Sequence, residues 1–376
     1  MENEIKQKKV ELIELFYDLI YVYAISRLQL LIDGGTGESE AFIPSFTRYL
    51  VFCLIILQGW LYLTNYVNRY GRWKWYDYLF IPINMIAVLY MSNTISANWI
   101  YMTLAFNISM IVMLSCVAIL YFIQIKIKEA DVGAAKNTLQ ILIILCILYA
   151  TSTIISIFGS FQIAVYIDLL AILAGAFLPF IIKGKFDKKI INFPHLVERF
   201  ELLTIVSFGD AIVAITGFFD VSKFTLLPSA IFILVISLFS CYVMQIHLLI
   251  NHNQEQRALR LMFSHYFVVI AINMLTISFK FLIVNNSDHL FIALHTYASL
   301  VMFFISIYVN SIYHKKRCAW KKSEIILLIS SFAFGFLVMM IFIKPIWGLL
   351  LGCYLIVLAN NFILYHKCKC TGLIDK

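Results

Sequence analysis

The stretch from Val10 to Ile32 reads VELIELFYDLIYVYAISRLQLLI and combines a mostly apolar composition with three acidic side chains. It is long enough to cross a bilayer as a helix, which takes about 20 residues rising about 1.5 Å each. On a helical wheel Glu11, Glu14 and Asp18 lie within about 60° of one another. The pattern predicts a transmembrane helix with one acidic stripe, and that stripe must face protein or water rather than lipid.

The composition of the whole chain fits the same class. Hydrophobic residues make up 62% of the 376 residues and charged residues 13%, with a mean hydropathy of +0.89. A soluble domain has about 45–50% apolar and about 25% charged residues, so we expect a polytopic membrane protein in the lipid bilayer. The net charge of +8 comes from short basic clusters between apolar runs. Such clusters orient membrane helices, and we predict no nucleic-acid partner.

The chain contains about twelve apolar runs of near membrane-spanning length. The sequence therefore predicts an all-α transmembrane bundle of about 12 spans, with approximate bounds at 10–32, 43–65, 77–96, 99–125, 138–158, 161–182, 199–218, 226–249, 261–284, 289–313, 323–343 and 345–366.

The basic residues predict the orientation of these spans. If the N-terminus is cytoplasmic, almost all of the 29 Lys and Arg residues fall in cytoplasmic segments, and only Lys223 and Lys344 fall in outer loops. This bias follows the positive-inside rule with an even number of spans. We therefore expect both termini to be cytoplasmic.

The spacing of the runs predicts an internal duplication. Each of the first six runs starts roughly 185 residues before its counterpart among the last six. An even number of spans per half would give the two halves the same orientation, as in parallel transporter repeats. We therefore predict two tandem six-helix halves, residues 1–190 and 191–376.

Two acids are expected deep in the bilayer. Asp18 lies about 13 Å along the first span, and Asp210 lies about 16 Å along the seventh. A charge at this depth costs about 2.5–3.5 kcal/mol on insertion scales. One interpretation is an ion, proton or small-solute pathway, and the other is a set of interhelical hydrogen bonds that hold the bundle together. The pathway candidates are Glu14, Asp18, Glu198, Arg199, Asp210 and His265.

His265 is a candidate because histidine titrates near neutral pH and can relay protons. Asn84 and Asn107, also in apolar runs, are expected to be hydrogen-bonded structural residues. The sequence has no HExxH or GxSxG motif and no cluster with metal-ligand spacing. We therefore predict no metal, no cofactor and no catalytic residue.

Two motifs resemble those of a known family. Residues 14–22, ELFYDLIYV, resemble the opening ELFFDLVFV signature of the bacterial low temperature requirement A (LtrA) family. Residues 195–210 are similar to its second motif, HxxERxxLxxIxx[LF]GE, and residues 64–70, TNYVNRY, to a third conserved pattern. Asp210 stands where the family usually has Glu, and Glu201 stands where it usually has Gly. The resemblance implies a multi-pass bacterial membrane protein and does not by itself imply an activity.

Three functions are compatible with these features. The first is a transporter-like protein that moves an ion or small solute, with proton coupling through the midplane carboxylates. The second is a structural or sensory membrane protein that helps the envelope adapt to cold. The third is an intramembrane lipid-modifying enzyme that uses the acids as general acid and base.

Overall fold

A computed structural model describes residues 8–33, 39–95, 99–128, 131–182, 190–219, 225–283 and 288–373. These residues form helices and connections, with no β-strand among them. The α-helices are α1 Leu12–Arg27, α2 Leu30–Asp33, α3 Ser39–Tyr70, α4 Trp75–Thr94, α5 Trp99–Ile127, α6 Val132–Phe158, α7 Phe161–Ile181, α8 Phe193–Thr216, α9 Leu227–Tyr242, α10 Leu259–Ile283, α11 His289–Tyr308, α12 Lys322–Ile341 and α13 Ile346–Cys370.

In the described part of the chain, ten helical segments are long and apolar enough to cross a membrane. The prediction of an all-α, multi-pass membrane protein is confirmed. The helices α4 and α8, which correspond to the predicted spans 77–96 and 199–218, are not among the ten. The count of 12 spans, the cytoplasmic termini and the tandem repeat stay predictions.

The chain divides into two compact units. The first contains Met1–Ile32, Thr47–Arg199 and Glu255–Arg257, and the second contains Asp33–Phe46, Phe200–Gln254 and Ala258–Lys376. The predicted domains 1–190 and 191–376 are a separate claim about duplication and stay a prediction.

The first unit is built on α1 and a series of neighbouring helices, in which α4 packs against α1 and α5, and α6 packs against α5 and α7. Helix α1 has two distinct faces. Glu14 and Asp18 are buried, at 2% and 0% exposure. An opposite apolar stripe at spacings of three and four residues is exposed and suited to lipid, and it consists of Leu12, Phe16, Leu19 and Tyr23. The predicted protein-facing acidic stripe is thus confirmed for Glu14 and Asp18, while Glu11 is exposed at the helix N-cap.

The second unit pairs α12 with α13 and α10 with α11, and α13 also packs against α9. Two glycines allow α12 and α13 to approach closely. A Cβ on Gly352 would lie 2.8 Å from the Gly335 carbonyl oxygen and 2.4 Å from Met339 Cγ. Small residues at such contacts are a usual way for membrane helices to pack backbone against backbone.

Candidate functional site

One arginine holds both buried acids of α1. Arg199, on the second turn of α8, donates from Nη1 to Oε2 of Glu14 at 2.6 Å and from Nη2 to Oδ1 of Asp18 at 2.5 Å. Glu14 and Asp18 are one helical turn apart, so their carboxylates meet the two ends of one planar guanidinium group. All three side chains are at most 1% exposed, and all three belong to the first unit.

Helix α3 completes the surroundings of Asp18. Trp60 Nε1 donates to Oδ1 of Asp18 at 2.7 Å, the same oxygen that Arg199 binds. Thr64, one turn further along α3, lies 3.5 Å from Nη2 of Arg199. The second carboxylate oxygen, Oδ2 of Asp18, is buried and has no hydrogen-bond partner, and Nε of Arg199 has none either. Buried polar atoms are paired in most proteins, so an unpaired carboxylate oxygen here needs an explanation.

The hydrogen-bond pattern around His195 fixes its protonation. The amide of Asn68 binds the backbone of Asn192 in two places, with Nδ2 donating to the carbonyl oxygen at 2.9 Å and Oδ1 accepting from the N–H at 3.2 Å. The Nδ2 group therefore also faces Nδ1 of His195, at 3.0 Å, and this ring nitrogen must accept. The remaining ring proton lies on Nε2, which points at Oε2 of Glu14 at 3.2 Å. His195 is thus the neutral tautomer.

This leaves the cluster with an imbalance of charge. Glu14 is fully bonded as a carboxylate, because Oε2 accepts from Arg199 and His195 while Oε1 accepts from the Glu11 N–H at 3.2 Å. With His195 neutral, two carboxylates face a single guanidinium group. One uncompensated negative charge in a buried site is costly. A proton on Oδ2 of Asp18 would both remove that charge and occupy the oxygen that lacks a partner.

A further cation, Lys8, lies near Glu14, but its hydrogen bonds go to backbone carbonyl groups and not to either acid of α1. Lys8 donates from Nζ to the carbonyl oxygens of Val67 and Gly71, at 2.5 and 2.8 Å, at the C-terminal end of α3. Burial lowers the pKa of Lys8, and the nearby acids Glu14 and Asp77 oppose that shift. Lys8 and Asp77 contribute one charge of each sign.

A small cavity adjoins the cluster. Its volume is about 10 Å³, and its wall includes Glu14, Tyr17, Trp73 and Arg199. That volume is close to the minimum for one water molecule. Trp73, in the connection between α3 and α4, has a φ of 56°. A bulky residue in this left-handed region is strained, so the wall of the cavity is formed in part by a strained backbone.

Sequence comparison assigns the family. Residues 9–360 match the family described as Bacterial low temperature requirement A protein (LtrA). The chain belongs to the LtrA family. None of the curated proteins matches it. The resemblance noted for the two motifs is therefore confirmed at the level of the family, and the structure shows that Glu14 and Asp18 of the first LtrA-like motif meet His195 and Arg199 of the second.

The third LtrA-like motif, residues 64–70, also reaches this cluster. Thr64 lies beside Arg199, and Asn68 orients His195. Sequence reasoning identified Glu14, Asp18 and Arg199 as candidates but did not include Asn68, Thr64 or Trp60. The motif at 64–70 was a signal for the first two. Nothing in the sequence indicated Trp60, whose position in an apolar run looks like an ordinary membrane tryptophan.

The other predicted candidates lie at further positions on α8 and on α10. Glu198 precedes Arg199 on α8 and is half-buried. Asp210 lies further along α8, in the second unit, and is also half-buried. His265 is buried in the second unit, where its Nδ1 bonds to the Leu261 carbonyl oxygen at 2.7 Å. A pathway role for these three residues stays a prediction.

The two asparagines of α4 and α5 differ from each other. Asn84 accepts from the Tyr21 hydroxyl group at 3.1 Å and donates to the Met113 carbonyl oxygen at 3.0 Å, as expected of a hydrogen-bonded structural residue. Asn107 donates to Ser152 at 3.0 Å, but its Oδ1 is buried without a partner. Asn107 Oδ1 is thus one of several buried oxygen atoms without a partner among the described residues of the first unit, and Asp168 Oδ1 is another.

Proposed function

We propose that this LtrA protein is a proton-linked, transporter-like protein of the bacterial cytoplasmic membrane, with Asp18 as its proton-binding group. The observation that carries the proposal is the buried Oδ2 of Asp18, which has no hydrogen-bond partner although Oδ1 has two. A carboxylic acid has one donor that a carboxylate lacks. Binding and release of a proton at this oxygen would switch the net charge of the cluster between zero and minus one.

The charged groups around Asp18 support a carboxyl group that gains and loses a proton rather than one that keeps a single protonation state. Arg199 favours the carboxylate, and Glu14, one turn away on α1, disfavours it. Intramembrane acids that pair with basic residues recur in proton relays and transport pathways. Coupling follows if the protonated cluster holds Arg199 less strongly than the charged one, because α8 is then freer to move relative to α1.

The size of the cavity favours a proton over larger cargo at this position. The cavity of about 10 Å³ that adjoins Glu14 and Arg199 admits one water molecule, which can carry a proton to the cluster or away from it. A metal cation would need several oxygen ligands within about 2.6 Å. We therefore assign the proton to this site, and the ion or small solute that is moved would bind elsewhere along the pathway, with Glu198, Asp210 and His265 as candidates.

A second candidate function is structural, and one observation favours it. Arg199 joins two acids of α1 to α8 through a fully buried network in which Glu14 has every acceptor in use. Such a network can hold helices in one arrangement without binding anything that moves. The protein would then be a structural or sensory component of the membrane.

The third interpretation, a lipid-modifying enzyme, has less support from the geometry. A general acid and base must reach the reacting group. Glu14, Asp18, His195 and Arg199 are each at most 2% exposed, so a lipid headgroup in the bilayer does not reach them.

Asp18→Asn separates the first two candidates, because asparagine has the shape of the protonated acid and cannot release a proton. The full chain is reconstituted into liposomes with a pH-sensitive dye inside, and the rate of pH change under an imposed proton gradient is measured. The unfolding temperature in detergent is measured on the same preparations. Glu255→Gln, which neutralises an exposed acid in a connection, is the control.

If the proposal holds, wild type and Glu255→Gln carry protons. Asp18→Asn loses this flux, while its free energy of unfolding stays within about 1 kcal/mol of the wild-type value. Equal flux in wild type and Asp18→Asn refutes proton binding at Asp18. A loss of about 3–5 kcal/mol in Asp18→Asn, the usual cost of breaking a buried ion pair, combined with no flux in wild type, supports the structural candidate instead.

A further inference from the structure

The second unit has a wide apolar groove between α10 and α11. Its volume is about 750 Å³, and among its wall residues are Phe263, Phe267, Ala298 and Ile305. Phe267 is 44% exposed and Ile305 57% exposed, so the groove is open along its side. Both helices are apolar enough to cross a membrane, which places this opening toward the acyl chains of the bilayer.

The polar groups in the wall are already bonded within their own helices. Ser264 donates to the Leu261 carbonyl oxygen at 3.1 Å, and Ser306 donates to the Met302 carbonyl oxygen at 2.6 Å. Hydroxyl groups that bond back to the preceding turn offer few donors to a ligand. The groove therefore suits a hydrocarbon chain better than a polar solute.

The length of the groove matches one leaflet. Along α10 it extends from Leu259 to Phe267, and along α11 from Ala298 to Val309, the first residue after that helix. At 1.5 Å per residue these are about 12 and 16 Å, close to half of the roughly 30 Å hydrocarbon thickness. An acyl chain that enters at the Leu259 and Val309 end would run along the groove to about the bilayer centre.

The end at Leu259 and Val309 carries positive charge. Arg260 lines the groove there, is exposed, and lies in the first turn of α10. A cation at the start of a helix is unfavourable for the helix itself, so Arg260 gains nothing from that position. The chain that continues from Val309 soon reaches two further exposed cations, Lys316 and Arg317. Basic pockets between transmembrane helices on the cytoplasmic side are suited to anionic lipid headgroups.

We infer that this groove binds an anionic phospholipid, with an acyl chain between α10 and α11 and its phosphate at Arg260. The inference concerns the second unit alone and does not depend on proton binding at Asp18. The hydrocarbon chain accounts for the apolar wall of leaflet length, and the phosphate accounts for the cation at its end.

Native mass spectrometry of the detergent-purified full chain tests the inference. The protein is incubated with mixed micelles that contain either phosphatidylglycerol or phosphatidylethanolamine, and bound lipids are counted. Arg260→Gln removes the headgroup contact, and Ala298→Phe fills the groove at an exposed small residue. Arg72→Gln makes the same charge change at an exposed arginine of the first unit and is the matched control.

Wild type and Arg72→Gln are expected to retain phosphatidylglycerol in preference to phosphatidylethanolamine. Arg260→Gln should lower that preference about fivefold, the effect of one basic residue near a membrane surface. Ala298→Phe should reduce binding of both lipids. Equal preference in Arg260→Gln and Arg72→Gln, or full lipid binding by Ala298→Phe, overturns the inference. The inference is also overturned if wild type forms a dimer that Ala298→Phe abolishes while lipid binding is unchanged.

Discussion

The interiors of the two units accommodate buried polar side chains in different ways. In the first unit, Glu14, Asp18 and Arg199 are buried together as ionised or ionisable groups. In the second, His265 is a neutral bridge, whose Nδ1 donates to the Leu261 carbonyl oxygen at 2.7 Å and whose Nε2 accepts from the Tyr242 hydroxyl group at 3.0 Å.

Two further polar contacts of the second unit fit this contrast. Asn310 donates to Ser264 at 2.8 Å, and Tyr308 donates to Asn360 at 2.7 Å, all neutral groups. The short ion pair of Glu324 with Lys367, at 2.8 Å, lies at the first turn of α12 and the last turn of α13, where helices meet the interface. A neutral network loses about 1 kcal/mol per bond removed, whereas an ionic one loses several when a partner is missing.

The largest expected effect is therefore in the first unit. Arg199→Met leaves Glu14 and Asp18 as buried carboxylates without their cation, and we expect a loss of about 3–5 kcal/mol in the free energy of unfolding. The measurement is chemical or thermal unfolding in detergent, followed by tryptophan fluorescence.

The triple variant Arg199→Met, Glu14→Gln, Asp18→Asn is the control for this prediction. Removal of every charge should restore much of the stability, because replacing a whole buried ionic network by neutral groups is often tolerated. A triple variant as unstable as Arg199→Met would show that packing of the arginine, rather than its charge, is what matters.

A smaller effect is expected in the second unit. Tyr242→Phe removes one hydroxyl group and leaves Nε2 of His265 without its donor, while the ring stays in place. We expect a loss of about 1 kcal/mol in the same unfolding assay. If Tyr242→Phe lowers the free energy of unfolding as much as Arg199→Met does, the two interiors do not differ in the way proposed.

The smallest effect is a pH dependence at the edge of the second unit. Burial lowers the pKa of His314, which follows the 3-10 helix Val309–Tyr313 that comes after α11, from 6.5 to about 4. Between pH 6.5 and 4 the unfolded chain binds this proton and the folded one does not. The stability contributed by neutral His314 is therefore fully present above pH 6.5 and is lost as the pH falls toward 4.

We expect His314→Gln, which cannot titrate, to lose less stability than wild type when the pH is lowered from 7 to 5. The difference is measured as the change in unfolding temperature between the two pH values. The same drop in both proteins would assign the acid sensitivity to other groups.

The helices and the acidic face of α1 could be predicted from the sequence because they depend on local spacing. Each predicted apolar run corresponds to a helix, and Leu12, Phe16 and Leu19 stand on the opposite side of α1 from Glu14 and Asp18. Membrane length and a period of 3.6 residues are properties of neighbouring residues.

The partners of the acids could not be predicted in this way. Arg199 is 185 residues from Glu14 in the chain, and its contact depends on how α8 packs within the first unit. A similar depth along two helices, as predicted for Asp18 and Asp210, gives the height of a side chain in the bilayer but not its neighbours. The contact of Trp60 could not be predicted for the same reason, since only the tertiary structure brings its indole N–H to Asp18.

The side-chain amide of Asn68 determines how an isosteric exchange at this position would affect the cluster. Its orientation is set by the backbone of Asn192, and it determines which nitrogen of His195 carries the proton. Replacing the NH₂ group by oxygen, as in aspartate, would present an acceptor to Nδ1 and favour a doubly protonated imidazole. Because the aspartate brings a negative charge of its own, this isosteric exchange would place a proton on His195 without changing the excess of one negative charge in the buried network, and Asp18 would keep its need for a proton.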